Sequence, residues 1–239
     1  MLPGYDTCVT RINSYISSNY TSKGLTYGLP GRKVGFHYFW SYKTSVESSG
    51  GSILSDNNLS QTALNLRKFL ITWKMGITGV AGVNGIEHIL MNIRPYYEKI
   101  RSITLGSGKI HRFRNELACV YEGLGGITNN VDYTGNVSAI VGKSKTLVAI
   151  WGQIPAFDSI NRKNFVKWTH PPAPLMLPHL RIREIWYKSN EFCDMIFELD
   201  NWISKWPANN SGRIFSQSFS NLCPNTPVGR IIDMIYNQK

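Results

Sequence analysis

The stretch VGKSKTLVAIWGQIPAFD, residues 141–158, brings together a glycine, two lysines, an apolar run and a single carboxylate. Gly142 predicts a turn at a helix start, where free backbone N–H groups and the flanking Lys143 and Lys145 would form a phosphate-binding corner. The apolar helix that follows is expected to be buried. The chain then returns to Asp158, which the pattern places at the start of the next helix, as an N-cap, a catalytic group or both.

This stretch resembles the helix-hairpin-helix DNA glycosylase superfamily, in which a hairpin ending in Gly-Val-Gly grips a DNA phosphate and a Pro-x-x-Asp segment presents the catalytic aspartate. Val141-Gly142 is similar to the end of that hairpin, and Pro155-Ala156-Phe157-Asp158 to the catalytic segment. At the second position after the hairpin, strand-cleaving members carry a Schiff-base lysine, whereas Ser144 resembles the monofunctional members. This chain departs from the family at Ile140, where the first hairpin glycine falls, and at Lys163, which replaces an arginine.

The resemblance implies a monofunctional DNA base glycosylase that binds double-stranded DNA and flips a nucleotide out of the stack. An ionised Asp158 would stabilise the oxocarbenium ion as the base leaves. The residues implied to contact DNA phosphates are Gly142, Lys143, Ser144, Lys145, Arg162 and Lys163. The divergent pattern favours a modified phage base, excised in antiviral defence, as the substrate.

An aromatic run, Lys-Val-Gly-Phe-His-Tyr-Phe-Trp-Ser-Tyr, occupies residues 33–42. It is predicted to form a short strand or a loop wall that is half-buried against the core. Aromatic side chains beside basic ones also stack on extruded bases. The side chains expected to line a base pocket are Phe36, His37, Tyr38, Trp40 and Trp73.

Apolar spacing along the rest of the chain predicts a mostly α protein of seven or eight helices, with the helical fold that the glycosylase resemblance implies. The predicted helices cover about residues 8–18, 59–75, 84–94, 112–122, 144–151, 158–168, 180–205 and 226–236. We expect one compact unit over 1–239, with a basic helical part over 1–130 and the hairpin and aspartate in 131–239.

The composition indicates a globular chain that meets a polyanion. The 239 residues are 42% hydrophobic and carry a net charge of +11, and residues 1–110 hold 12 Lys and Arg against 5 Asp and Glu. With no apolar stretch of about 18 residues and no signal peptide, the protein is expected to be a cytoplasmic monomer with no membrane partner. Its four scattered cysteines predict reduced thiols, and we expect no metal and no cofactor.

Two alternatives remain at this point. A DNA-binding protein without catalysis needs only the charge and the phosphate corner, whereas a nuclease would need a carboxylate pair or metal cluster that the sequence does not display. Residues 146–158 and 73–79 also resemble an uncharacterised group of bacterial proteins, which supplies no function.

Overall fold

The computed structural model describes residues 5–19, 32–75, 79–128, 137–157, 189–204 and 227–236, and most of these residues are helical. The α-helices are α1 (Tyr5–Asn19), α2 (Arg32–Ser48), α3 (Asp56–Leu70), α4 (Val83–Ile100), α5 (Arg114–Gly123), α6 (Val137–Ile150), α7 (Ser189–Ser204) and α8 (Val228–Tyr236). A π-helical turn, Ile71–Met75, extends α3, and a 3₁₀ turn, Ile110–Phe113, leads into α5. The prediction of a mostly α protein is confirmed.

Helix α4 packs extensively against both α3 and α5. Its apolar stripe, which includes Ile86, Leu90 and Ile93, is buried at the spacing that an amphipathic helix requires. The buried Tyr97 hydroxyl donates a hydrogen bond to the Ile150 carbonyl oxygen at 2.6 Å. This bond ties α4 to the end of α6, where the candidate site begins.

The predicted aromatic strand over residues 33–42 is wrong, because these residues form part of α2. Aromatic residues favour strands in general, but here the helical spacing decides which side chains are buried. Phe36, Phe39 and Lys43 face the protein interior, whereas Tyr38 is 58% exposed on the opposite side. A β-strand would have put alternate residues on one face instead.

The predicted end of the helix at about residue 94 is also wrong, since α4 continues through Pro95 to Ile100. Proline removes one backbone donor, yet Tyr97 and Ile100 beyond it are fully buried and keep the last turns in place. In the described ranges, no helix combines the length and the apolar character that crossing a bilayer requires.

Candidate active site at the Gly152–Phe157 segment

The segment Gly152–Phe157 leaves α6 through a glycine in the left-handed conformation. Gly152 has a φ of 76°, which favours glycine. The N–H groups of Trp151 and Gly152 both donate to the Leu147 carbonyl oxygen, at 2.9 and 3.0 Å, and so end the helix. A Cβ on Gly152 would lie only 2.3 Å from the Trp40 ring. The segment therefore starts with its backbone packed directly against this indole.

The first turns of α8 fix the middle of the segment. The Gly229 N–H donates to the Gly152 carbonyl oxygen at 2.8 Å. A Cβ on Gly229 would lie 2.1 Å from the Ile154 carbonyl oxygen, so only glycine allows the two backbones to approach this closely. Ile154, Ala156 and Phe157 are almost completely buried. The path of the segment is thus set by contacts with both α6 and α8.

Two side chains hold the last two backbone N–H groups of the segment. The Ala156 N–H donates to Asp233 Oδ1 at 2.7 Å, and the Phe157 N–H donates to Ser144 Oγ at 2.9 Å. Asp158, the predicted catalytic residue, comes next in the chain and lies outside the described residues. The chain therefore reaches Asp158 from a buried point that side chains of α6 and α8 hold.

Beside this point, two buried cations lie against one indole ring. We call the residues Trp73, Lys145, Arg230 and Asp233 the Trp73 cluster. Lys145 Nζ donates to the Trp73 carbonyl oxygen at 2.9 Å and lies 5.6 Å from the ring centroid, while the Arg230 guanidinium carbon lies 5.2 Å from it. Arg230 Nη1 also pairs with Asp233 Oδ2 at 3.2 Å. All three charged side chains are over nine-tenths buried, which is costly unless each charge is compensated.

The predicted phosphate corner at residues 142–145 is wrong as a local structure. These residues lie inside α6, which begins at Val137, so their backbone N–H groups serve the helix and not a ligand. Gly142 is buried, and a Cβ there would lie 2.6 Å from Thr128 Cγ2, so this glycine allows α6 to approach Thr128 closely and does not form a turn. Ser144 is fully buried and Lys145 is 8% exposed. Neither side chain presents the predicted phosphate-binding surface.

Lys143 lies on a different side of α6 from Lys145. Its Nζ lies 4.4 Å from the centroid of the Tyr121 ring of α5. Burial lowers the pKa of the Lys143 ammonium, and the nearby Glu122 carboxylate opposes that shift. The two lysines therefore do not act together at one corner. Arg162 and Lys163, the other predicted phosphate contacts, lie outside the described residues.

Three of the five predicted base-pocket residues come together. The Phe36 ring stacks on Trp40 at a centroid distance of 5.9 Å and lies 6.1 Å from Trp73. Phe36 is buried, while both tryptophans are partly exposed at the edge of the core. Tyr38 points away on the opposite face of α2. His37 lies in the same helix, and its side chain is outside the described part of the structure.

A basic loop, residues 103–112, is joined to the candidate site by two hydrogen bonds. Trp151 Nε1 donates to the Ile103 carbonyl oxygen at 3.2 Å, and the Leu105 N–H donates to Gln153 Oε1 at 3.0 Å. The loop carries Lys109 and Arg112, which are exposed and form no ion pair with any described residue. By contrast, the nearby Arg114 of α5 is paired with Asp194 of α7.

Arg230 and Asp233 were not singled out by the sequence reasoning. A signal was present, since they are the two charged residues of the apolar helix α8, VGRIIDMIY, and share one face at a spacing of three. Charged residues on the apolar face of a short helix predict that each charge is paired inside the protein. In the Trp73 cluster, Arg230 and Asp233 pair with each other.

Comparisons of the chain with protein-family models, with curated proteins and with solved structures found no match. Within the described ranges, no group of three His, Cys, Asp or Glu side chains is placed to hold a metal ion. The expectation that no metal is needed stays a prediction, and function has to be argued from the residues themselves.

Proposed function

We propose that the protein is a monofunctional DNA base glycosylase in which Asp158 is the catalytic carboxylate. The observation that carries the proposal is the position of Phe157. It is buried, its N–H is held by Ser144, and it directly precedes Asp158 in the chain. Catalysis by one charge needs that charge at a fixed position in a site from which water is largely excluded. A segment anchored in this way meets that requirement better than a surface loop.

The proposed reaction breaks the bond between C1′ of the sugar and a base nitrogen. The electron pair leaves with the base, and positive charge develops on C1′ and the ring oxygen. An ionised Asp158 stabilises this charge and orients a water molecule. Water then adds its hydroxyl to C1′ and its other proton goes to the base, so the products are a free base and an abasic sugar.

The aromatic side chains beside the segment suit an extruded base. Trp40 contacts the start of the segment, Trp73 belongs to the cluster at its end, and both are partly exposed. Phe36 and Lys43 lie against the Trp40 ring, and Lys145 and Arg230 against the Trp73 ring, so a base would meet the exposed parts of the indoles and not a free ring face. We propose that these two indoles border the pocket for the flipped nucleotide.

DNA binding is assigned in this proposal to the basic loop. Lys109 and Arg112 are exposed and have no carboxylate partner among the described residues, so they are available to phosphates. The net charge of +11 supports the same partner. These features also fit a DNA-binding protein without catalysis, which is the second candidate because the predicted phosphate corner of the glycosylase resemblance is not formed.

The deciding experiment incubates the protein with plain DNA and with heavily modified phage DNA in EDTA. Base release gives abasic sites that become strand breaks only on treatment with alkali or heat. Breaks that need a divalent metal would indicate a nuclease, and bound but unchanged DNA would indicate the second candidate.

Asp158→Asn is the matching variant, because asparagine caps helices about as well as aspartate, so stability should change by about 1 kcal/mol or less. Base release should fall by several orders of magnitude while DNA binding persists. Glu198→Gln is the control, since it removes one exposed negative charge of α7 that has no ion-pair partner in the described structure. Full base release by a folded Asp158→Asn variant would show that Asp158 only caps a helix.

A further inference from the structure

Two buried side chains from distant parts of the sequence hold consecutive backbone amides at the end of the Gly152–Phe157 segment. Asp233 of α8 accepts from Ala156, and Ser144 of α6 accepts from Phe157, at 2.7 and 2.9 Å. We infer that Ser144 and Asp233 are positioning residues, which act on the catalytic step by fixing the backbone that directly precedes Asp158. This inference rests on the proposed function, because it concerns the same reaction.

The hydroxyl of Ser144 has a defined orientation. Its own proton is donated to the Val141 carbonyl oxygen at 3.3 Å, which leaves an oxygen lone pair for the Phe157 N–H. Ser144 is fully buried, so no DNA phosphate reaches it in this arrangement. In the glycosylase resemblance, the residue at position 144 distinguishes strand-cleaving from monofunctional members. In this structure, Ser144 instead binds the backbone of Phe157, next to Asp158.

Asp233 connects that backbone to the proposed base pocket. One carboxylate oxygen accepts from Ala156, and the other pairs with Arg230, whose guanidinium lies 5.2 Å from the centroid of the Trp73 ring. Hydrogen bonds to an ionised acceptor are about twice as strong as neutral ones. A buried carboxylate is an expensive way to hold a backbone amide, and in this position it fixes the segment and the indole relative to each other.

If Ser144 and Asp233 are positioning residues, their substitution should reduce the rate of base release even in variants that remain folded. A misplacement of about 1 Å costs a reaction roughly 100-fold when geometry is critical. Ser144→Ala removes only the hydroxyl and leaves the Phe157 N–H without its acceptor. We expect the single-turnover rate of base release at saturating DNA to fall by about 10- to 100-fold, with the dissociation constant for DNA within about twofold of wild type.

Thr146→Val is the matched control. Thr146 is also fully buried in α6, and its hydroxyl donates to the Gly142 carbonyl oxygen at 2.9 Å, within the helix and away from the segment. Both variants lose one buried hydroxyl and should lower the melting temperature, Ser144→Ala the more because the buried Phe157 N–H also loses its acceptor. Only Ser144→Ala should slow base release and displace the acidic limb of the pH–rate profile, which reports the pKa of the essential carboxylate.

Asp233→Asn provides a second, independent variant if Ser144→Ala does not fold. The asparagine oxygen still accepts from Ala156, while the buried Arg230 loses its charged partner, which should strongly lower stability. Rates are therefore measured well below the melting temperature of this variant, where we expect a loss of about 3- to 10-fold with DNA binding retained. Wild-type rates in folded Ser144→Ala or Asp233→Asn, or an equal loss in Thr146→Val, would overturn the positioning role alone. A wild-type protein that releases no base from either DNA would overturn the proposed function, and the positioning role with it.

Discussion

Replacing Gly229 by alanine is expected to separate α8 from the Gly152–Phe157 segment. The added Cβ would lie 2.1 Å from the Ile154 carbonyl oxygen, 2.6 Å from its carbon and 2.7 Å from its nitrogen. All three are backbone atoms in a buried segment, and ordinary contacts of a Cβ lie at 3.4–4 Å. Helix α8 must therefore move by about 1 Å or more, since neither close-packed backbone is able to yield locally.

The free-energy cost follows from the hydrogen bonds that this movement breaks. The bond from Gly229 to the Gly152 carbonyl is neutral, and the bond from Ala156 to Asp233 has a charged acceptor. Typical net contributions of about 1 kcal/mol and about 2 kcal/mol give a destabilisation of about 3 kcal/mol. For a chain of this length, this lowers the melting temperature by roughly 6–12 °C.

Thermal unfolding followed by circular dichroism measures this effect, and Gly85→Ala serves as the control. Gly85 lies in the first turn of α4, where a Cβ would meet only the Ala81 side chain at 3.6 Å. That substitution should leave stability unchanged or raise it by up to about 1 kcal/mol, because alanine is the better helix former. A Gly229→Ala variant that melts at the wild-type temperature would refute the close approach of α8 to the segment.

Two further predictions contrast exposed and buried cations. Lys109→Ala combined with Arg112→Ala should weaken DNA binding for all sequences alike and reduce the slope of log K against log salt by about 2, with little change in stability, as salt titrations and melting curves would show. Lys145→Ala should instead lower stability by about 1–3 kcal/mol, because a buried hydrogen bond and the packing of its stem are lost, and should leave the salt slope unaltered. If Lys145→Ala alone reduced the slope of log K against log salt, Lys145 would contact a DNA phosphate as the sequence predicts.

The helices were predictable where apolar spacing is regular, and less so where packing overrides local preference. Leu59, Ala63 and Leu66 repeat at three and four residues, and α3 forms there with all three buried. The same reasoning failed in α2, where the aromatic run favoured a strand. The buried face of α2 includes Lys43, and a lysine is normally expected at the surface. Its burial is explained only by the structure, in which Trp40 and Glu47 surround the ammonium group.

The candidate site was only partly predictable, because a glycine serves several purposes that look the same in a sequence. Gly152 does end α6 as predicted, since its positive φ is a local property of the turn. The local pattern predicts a turn at Gly142, but the role of this glycine depends on Thr128, which lies 14 residues earlier in the sequence. Neighbours that determine close approach are set by the tertiary fold, so local patterns do not reveal them.

The hydrogen bonds around residues 151–153 connect the two halves of the proposed function. The basic loop proposed to bind phosphates is held to Trp151 and Gln153, and the chain runs from Gln153 to Phe157 through a buried segment that α8 also holds. Ile103 and Leu105, which make these bonds, lie only a few residues from Lys109. A duplex bound at the loop would consequently be placed relative to Phe157, the residue that directly precedes the proposed catalytic Asp158. In the proposed mechanism, preorganisation of this kind would let a single charge lower the barrier, because little reorganisation would be needed when the oxocarbenium ion forms.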